Sequence, residues 1–234
     1  MQASRLPRAA DGRTTITANQ DTPPNASAGN AASGYGTDLG QSMPSLRKPS
    51  PAEIRRFLDE QALGGFSYSF VGQTASKPPE GVKVDHTRIK LGDGEAAFIA
   101  ATSALERWVQ FRLGWVEPCS TNTPIKSGQV VGILARVARL WWLNACRIVY
   151  VVDEEGPPQR FGFAYGTLPG HAESGEERFL IEWHQEDNSV WYEILAFSRP
   201  RHPLIWLGYP FARMIQKRFA RQSAAAMLRA TASE

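Results

Sequence analysis

The chain has 234 residues, with 26 basic and 23 acidic side chains and a formal net charge of +3 at pH 7. Its 42% hydrophobic content and seven Trp are typical of a folded protein with one good-sized core and exclude a largely disordered chain. The basic residues are mostly spread among acidic ones, which argues against a nucleic-acid partner.

The longest apolar region, residues 130–152, does not have the composition of a membrane-spanning helix. Arg136, Arg139 and Arg147 interrupt it, and each arginine at the centre of a bilayer would cost about 2.5 to 3.5 kcal/mol. The N-terminus also lacks the continuous apolar segment of a secretion signal. We therefore expect a cytoplasmic protein, with organelle targeting by the N-terminal tail as the alternative.

Cysteine and histidine positions indicate neither a metal site nor a bound cofactor. Cys119 and Cys146 have no CxxC or Cys/His spacing of the kind that binds zinc, and the four histidines are scattered. The chain has no phosphate-binding loop, dinucleotide fingerprint or GxSxG nucleophile motif. We expect no metal and no cofactor.

Residues 1–49 are rich in Ala, Gly, Ser, Thr, Asn and Pro and contain few large apolar side chains. Such a segment cannot bury enough surface to offset the entropy of ordering. We predict a disordered tail, followed by a single α+β domain over residues 50–230. Three arginines before residue 14 would suit a transit peptide, but no amphipathic face accompanies them.

The predicted domain opens with a capped helix. Ser50 suits the N-cap, Pro51 the first helical position and Glu53 the first turn, while a pair of glycines after residue 63 predicts the end. Alternation over residues 66–70 predicts a short strand, and the Pro-rich residues 77–81 predict a surface loop.

A strand and a second helix are predicted next. Residues 82–91 form the first strand of the main sheet. Asp93 caps the helix, in which apolar residues recur three and four positions apart as far as Trp108, and Gly114 ends it. A Pro-bearing loop over residues 115–127 completes this region.

Five strand-like segments follow with short connections, which predicts an antiparallel meander. They cover residues 129–138, 144–152, 160–168, 177–186 and 189–198. In the third segment, aromatic residues from Phe161 to Tyr165 alternate with glycine and alanine, so one face is aromatic and the other nearly bare. A bare face allows close approach, and the two candidates for that contact are a packed helix and a ligand.

Residues 203–228 predict a long amphipathic helix. Its apolar face carries Leu204, Leu207, Phe211, Ile215 and Phe219. A curved antiparallel sheet needs its inner face covered, and a long helix arriving last in the chain can cover it. The order of elements therefore predicts an α+β fold in which a curved antiparallel β-sheet grips a long C-terminal helix.

Three segments carry a resemblance to a known family: CRIVYVVDE, FGFAYGTLPGHAESGEERF and VWYEILAFSRP. They resemble the uncharacterised family called domain of unknown function 1990, whose members share similar Cys-Arg, Gly-Thr-Leu-x-Gly-His and Gly-Glu-Glu patterns in this order. The resemblance covers residues 66–228. It implies a START-like helix-grip fold, whose members generally bind hydrophobic ligands in a cavity. It implies no activity, because none is established for the family.

A polar segment after the third strand is the candidate catalytic site. His171, Glu173 and Glu176 lie within six positions, followed by Arg178. A base, an acid and an anion-binding group at one place would suit a hydrolase or isomerase with His171 as general base and Glu173 or Glu176 as its partner. The alternative is a solvated turn with an Arg/Glu pair.

The leading functional prediction is binding of a hydrophobic or amphipathic small molecule between the sheet and the C-terminal helix. Mostly apolar pockets usually contain a small number of polar groups that orient a ligand. A buried Tyr hydroxyl or Arg also needs a polar partner, which a ligand can provide. The candidate ligand-binding residues are Arg147, Tyr150, Tyr165, Thr167, His171, Glu176, Arg178, Tyr192 and Arg199.

The C-terminal helix supports a third hypothesis, docking to a membrane or a partner protein. Residues 199–229 include seven basic and no acidic residues, and Arg213, Lys217 and Arg221 follow one another at four-residue steps. Interleaved aromatic and basic side chains suit a weak contact with an anionic membrane surface. The alternative is a solvated helix face.

Overall fold

The computed structural model describes residues 44–76, 78–80, 82–200 and 208–232. Most of the predicted tail lies outside these residues, and so do residues 203–207 at the predicted start of the C-terminal helix. Within the described part of the tail, Ser45 forms an isolated β-bridge with Trp141. The described chain therefore contacts the sheet before residue 50.

Seven strands form one antiparallel sheet. They are β1 (Lys83–Asp93), β2 (Val116–Pro118), β3 (Val130–Val137), β4 (Leu140–Glu154), β5 (Gln159–Thr167), β6 (Glu173–His184) and β7 (Ser189–Pro200). Their order in the sheet is β1-β7-β6-β5-β4-β3-β2. Each strand from β3 to β6 pairs with the next strand in the chain, which confirms the predicted meander, and β1 pairs with the last strand, β7.

One strand limit matters for the site. We predicted that β6 begins at residue 177, but it begins at Glu173, because Gly175 and Glu176 pair with residues of β7 that continue the ladder. Most of the segment predicted as a polar loop is therefore strand. Its side chains alternate between the two faces of the sheet, which a loop would not require.

In the described part of the chain, three α-helices accompany the sheet: α1 (Pro51–Ala62), α2 (Gly94–Glu106) and α3 (Tyr209–Ala232). The predicted start of α1 is confirmed, since Ser50 and Glu53 form a capping box. Short 3₁₀ turns occupy Gln73–Ala75 and Val109–Phe111.

The predicted end of α2 at Gly114 is wrong. The helix ends at Glu106, and Trp108 adopts a left-handed backbone conformation with φ of 58°. That turn brings the Trp108 ring to 5.1 Å from the Phe163 ring and lets its indole N–H donate to the Thr123 carbonyl at 2.9 Å. Tertiary packing of one large ring thus overrides the helical periodicity.

The predicted strand over residues 66–70 is also wrong. These residues form bends instead of a strand, although the Ser67 amide donates to the Thr167 carbonyl at 2.9 Å. Ser67 and Tyr68 contact the sheet, where the Tyr68 hydroxyl donates to the Glu176 carboxylate at 2.6 Å, whereas Phe70 is exposed. The alternating apolar pattern of residues 66–70 therefore reflects packing of this segment over the sheet, and not pairing as one of its strands.

An aromatic cluster joins the inner face of the sheet to the helices. Phe111 lies 5.4 Å from Phe179 of β6 and 5.3 Å from Phe219 of α3, between ring centroids. Phe163 lies 5.4 Å from Phe179 and packs against Trp108. The cluster fixes α3 over the curved sheet, which confirms the predicted α+β helix-grip arrangement.

The buried face of α3 differs from the predicted stripe. Phe219 packs against the core, but Phe211 is 46% exposed. Buried positions include Ala212, Ser223 and Met227. Mostly small residues face the sheet because the helix lies close to it. At such a short separation, the size of a side chain matters more than its hydrophobicity.

The bare face of β5 is covered by a segment without an α-helix, which was not among the candidates from the sequence. A Cβ atom at Gly166 would lie 2.1 Å from the Tyr68 hydroxyl oxygen. The segment 66–76 therefore covers this face. Further along the sheet, α1 covers the same side, where a Cβ at Gly132 would approach Leu58 to 3.0 Å.

Candidate functional site

A cavity of about 470 Å³ lies between the inner face of the sheet and the first half of α3. This volume is within the range of small-molecule sites, about 300–1,000 Å³. Exposed Lys217 and Arg221 are among its lining residues, so it opens to solvent beside α3. Its surface is mostly apolar and includes Phe111, Trp115, Ile133, Ile194, Ile215 and Phe219.

Strand register explains why the sheet is hollow at this point. Asp85 of β1, Ala196 of β7, Glu177 of β6 and Tyr165 of β5 lie side by side across the sheet. We call these four residues the acidic row. Because neighbouring strands lie about 4.8 Å apart, the two carboxylate residues flank an alanine that leaves the space between them unfilled.

The Glu177 carboxylate is the least compensated charge of the acidic row. The Tyr165 hydroxyl donates to it at 2.7 Å. Burial is the main reason that the pKa of Glu177 is raised from its usual 4.5 to about 7; the Tyr165 hydrogen bond lowers this pKa, and the neighbouring carboxylates of Glu173 and Asp85 also contribute to raising it. Glu177 therefore exists in both protonation states near neutral pH.

A second polar group attaches α3 to the sheet. The side-chain amide of Gln216 donates to both oxygens of Glu173, at 2.7 and 2.8 Å. Burial also raises the pKa of Glu173. Arg213, on the same helix, forms an ion pair with Asp85. These contacts connect α3 to β6 and β1 at one end of the cavity.

His171 lines the cavity, and within the described ranges its ring is hydrogen-bonded to no carboxylate. Its Nδ1 lies 2.9 Å from the amide nitrogen and 3.1 Å from the carbonyl oxygen of Glu173, so the backbone of Glu173 holds the ring in place. Burial lowers the pKa of His171 from 6.5 to about 4. A ring that is neutral at pH 7 and this weakly basic is poorly suited to general-base chemistry.

Glu176 is separated from His171 by the alternation of β6. Its side chain is 2% exposed, and the segment 66–76 surrounds its carboxylate. Tyr68 Oη donates at 2.6 Å, the Gly72 amide at 2.7 Å and the Thr74 amide at 2.9 Å, with the Thr74 hydroxyl as a fourth donor. Although Glu176 borders the cavity, its carboxylate forms hydrogen bonds with this segment and attaches it to the sheet. His171, Glu173 and Glu176 all line the cavity, but among the described residues the carboxylates of Glu173 and Glu176 are hydrogen-bonded to Gln216 and to the segment 66–76, and not to the His171 ring.

Tyr150 and Arg178, two of the candidate ligand-binding residues, belong to the same attachment. The Tyr150 hydroxyl lies 2.8 Å from the Thr74 hydroxyl. Arg178 donates to the Thr74 carbonyl at 2.7 Å and forms an ion pair with Glu193 at 2.5 Å. Neither residue lines the cavity.

Other candidates also have structural partners. Arg147 donates to the carbonyl of Ala62 at the end of α1, at 2.7 Å, and the Tyr192 hydroxyl lies 3.0 Å from that of Ser223 on α3. Arg199 is exposed and borders a smaller pocket of about 390 Å³ beside the segment 66–76. Among the candidates, the cavity is lined by Tyr165, Thr167 and His171, with Glu176 at its border.

Sequence reasoning missed Glu177, Gln216 and Ala196 as cavity residues. The predicted strand 177–186 already places Glu177 on the same face as Phe179, the side of the aromatic core, so this alternation could have identified Glu177. The small residue at Ala196 gives no comparable signal, because its importance depends on which residues flank it across the sheet.

His171 and Glu177 have opposite effects on stability as pH changes. Between about pH 4 and 6.5 the unfolded chain binds a proton at His171 that the fold excludes, so stability increases with pH. Between about pH 4.5 and 7 the fold retains a proton on Glu177 that the unfolded chain loses, so stability decreases with pH. Over pH 4.5–6.5 the two effects oppose each other.

We expect single substitutions to separate these effects. Relative to wild type, the unfolding free energy of Glu177→Gln should rise more steeply with pH between 5 and 6.5, by up to about 1.4 kcal/mol per pH unit. His171→Asn, whose side-chain oxygen can still accept from the Glu173 amide, should shift the slope in the opposite direction. Urea unfolding at several pH values measures both. Unchanged slopes would contradict the assigned burial of these groups.

The basic face of α3 is not uniform. Arg213 is 13% exposed and paired with Asp85, whereas Lys217 and Arg221 are exposed. Reversing the charge of all three would therefore break an internal ion pair as well as change the surface. Phe211 and Met214 are 46% and 53% exposed. Docking of this helix to an anionic membrane stays a prediction.

The described residues contain no cluster of three or more His, Cys, Asp or Glu that could hold a metal ion. Among the helices that the structure describes, none is long and apolar enough to cross a membrane. Both cysteines are free thiols, and burial raises the pKa of Cys119 to about 12 and that of Cys146 well above its usual value. Such thiols are poor nucleophiles.

A curved antiparallel sheet, a C-terminal helix packed on its inner face and a cavity between them define a helix-grip protein with an internal pocket. More particularly, the chain belongs to the family described as domain of unknown function (DUF1990), whose sequence pattern matches residues 67–226. The resemblance stated from the sequence is thus confirmed.

The chain is similar to two relatives over almost the whole length of each relative. A UPF0548 protein of Dictyostelium discoideum is 38% identical, covering 80% of this chain and 95% of that protein. A UPF0548 protein of Deinococcus radiodurans is 34% identical, covering 79% and 97%. Among solved structures, Ara h 8.0201 aligns with a TM-score of 0.42 and 12% identity, covering 66% of this chain and all of that one.

Proposed function

We propose that the protein binds a hydrophobic or amphipathic small molecule in the cavity between the sheet and α3. The observation that carries this proposal is the cavity itself, about 470 Å³ of mostly apolar space in a position where a tightly packed core would be expected. Burial of an apolar ligand surface there would be favourable by about 25 cal/mol per Å².

The polar groups suit an amphipathic ligand better than a purely apolar one. Glu177, Glu173 and Gln216 lie toward the β1–β7–β6 side, while Ile133 and Phe111 line the opposite side. A ligand with a polar head and an apolar body would match both regions. The access beside Lys217 and Arg221 would let it enter without unfolding α3.

A cavity-filling substitution tests the proposal. Ala196→Phe would place a ring in the space between Asp85 and Glu177, and Leu195→Phe is the matched control, because the neighbouring residue on the strand points to the other face of the sheet. We expect wild type and Leu195→Phe, purified from cells, to show the same bound mass by native mass spectrometry, and to bind an uncharged aromatic dye. Ala196→Phe should bind neither.

Circular dichroism and thermal melting establish that both variants fold. An empty wild-type protein that also fails to bind the dye would refute the proposal. Equal dye binding by wild type and a folded Ala196→Phe variant would show that the ligand lies elsewhere.

A further inference from the structure

The cavity presents anionic groups to its ligand on the β1–β7–β6 side, whereas the cations that line it, Lys217 and Arg221 of α3, are exposed at its opening. Asp85 is neutralised by Arg213 of α3. In the described part of the chain, no Lys or Arg forms an ion pair with Glu177, whose hydrogen-bond donor is the neutral hydroxyl of Tyr165. Glu173 likewise receives an amide, from Gln216. A carboxylate can accept about four hydrogen bonds, so Glu177 retains unused acceptor capacity toward the cavity.

Space for a ligand group lies directly beside Glu177. Ala196 is its neighbour in the acidic row, and the next positions along these strands are also small, Gly175 on β6 and Ser198 on β7. The side chains of these two strands therefore leave space beside the carboxylate, and Gln216 of α3 bounds this space at Ser198, where its amide lies 3.2 Å from the hydroxyl. A ligand head group in this space would lie within reach of Glu177 and of the paired Asp85.

We infer that the ligand is a cationic amphiphile, an apolar molecule that bears a protonated amine, and that Glu177 binds the amine. This inference rests on the proposed binding function and specifies the chemistry of its ligand. An ammonium group supplies the positive charge and the hydrogen-bond donors that the cavity wall lacks beside Glu177. A carboxylate or phosphate head group would instead meet the anionic groups of β6 and β1.

Binding of an amine should release a proton near neutral pH. The titratable groups that face Glu177 come from five strands and α3. They are Tyr165 on β5, Cys146 on β4, Tyr192 on β7, Asp85 on β1 with its partner Arg213 on α3, and Glu173 on β6, the strand of Glu177 itself. Burial and the two neighbouring carboxylates keep Glu177 partly protonated at pH 7. A cation held beside it favours the ionised form, so the carboxyl proton passes to the buffer as the amine binds.

Three probes with the same ten-carbon chain test the inference: decylamine, decanol and decanoic acid. Their competition against the uncharged aromatic dye gives relative affinities at pH 7. We expect wild type to prefer decylamine over decanol by about tenfold or more, as charge-assisted hydrogen bonds commonly provide, and to bind decanoate most weakly. Decylamine affinity should increase from pH 6 to pH 8.

Glu177→Gln keeps the shape of the side chain and removes its charge. This variant should bind decanol as wild type does, lose the preference for decylamine and show no increase in affinity with pH. Glu186→Gln, in the exposed turn after β6, is the control and should behave as wild type. Calorimetry in two buffers of different ionisation enthalpy should detect release of about half a proton per decylamine bound to wild type at pH 7.

Each outcome is decisive. Failure of the dye and all three probes to bind wild type would refute the binding function together with this inference. Binding of decanol or decanoate as tightly as decylamine would leave the function standing and overturn the amine assignment. A decylamine preference that survives in Glu177→Gln would also overturn it. Should that variant not fold, the absence of proton release in wild type would overturn it independently.

Discussion

Phe163→Ala is expected to lower the free energy of unfolding by about 3–5 kcal/mol, the usual cost of removing a buried phenyl ring. Phe163 has no exposed surface and lies 5.1 Å from Trp108, 5.4 Å from Phe179 and 6.4 Å from Tyr165. Alanine would leave a void among rings on rigid strands, which cannot move together to close it. Guanidinium chloride unfolding measures the change.

Phe211→Ala is the matched control for this substitution. The same atoms are removed from a ring that is 46% exposed, so the loss should be about 1 kcal/mol or less. Equal losses for the two substitutions would contradict the assignment of the aromatic cluster as the centre of the fold. Because Phe163 lies at the junction of the sheet and the turn after α2, its removal should also disturb the left-handed turn at Trp108.

Glu176→Ala is expected to release the segment 66–76 from the sheet. The substitution removes the acceptor of four hydrogen bonds and leaves the amide of Thr74, a fully buried residue, without a partner. Each hydrogen bond to a charged group contributes about 1.5–3 kcal/mol. Amide hydrogen exchange at Gly72 and Thr74 should therefore accelerate by about 10² or more, with a smaller change in the strands of the sheet.

Glu182→Ala provides the comparison for that experiment. Glu182 lies on the same face of β6 and is 9% exposed, but its carboxylate contacts Arg88 and Arg160 instead of the segment 66–76. Exchange at Gly72 and Thr74 should stay close to that of wild type in this variant. Equal acceleration in both variants would show that the segment responds to global stability and not to Glu176 itself.

The difference between Glu176 and Glu177 illustrates how much of the site could be predicted. From the sequence, Glu176 was predicted to lie in a polar segment and, like Glu173, to be a possible partner of His171, whereas Glu177 was the first residue of the following strand. In the structure they lie on opposite faces of β6: Glu176 attaches the segment 66–76, and Glu177 faces the cavity. Adjacent positions diverge because a strand sends successive side chains to opposite sides, and the strand exists there only because β7 pairs with it.

The sequence by itself determined the features that depend on neighbours in the chain. The cap of α1 follows from Ser50 and Glu53, and the meander follows from apolar runs joined by short turns. The helix-grip arrangement follows from a long amphipathic helix placed after a sheet with one face to cover. The family resemblance added the expectation of an internal cavity, and an internal cavity is present.

Only the tertiary structure decided the features that depend on contacts between residues far apart in the chain. Trp108 leaves helical geometry because its ring packs against Phe163 on β5. Tyr68 covers Gly166 because the backbone there has no side chain to exclude it. The cavity exists because Asp85, Ala196 and Glu177, from three strands, align across the sheet and leave a small residue between two acids. Local propensity cannot encode this alignment, since strand register is set by the whole sheet.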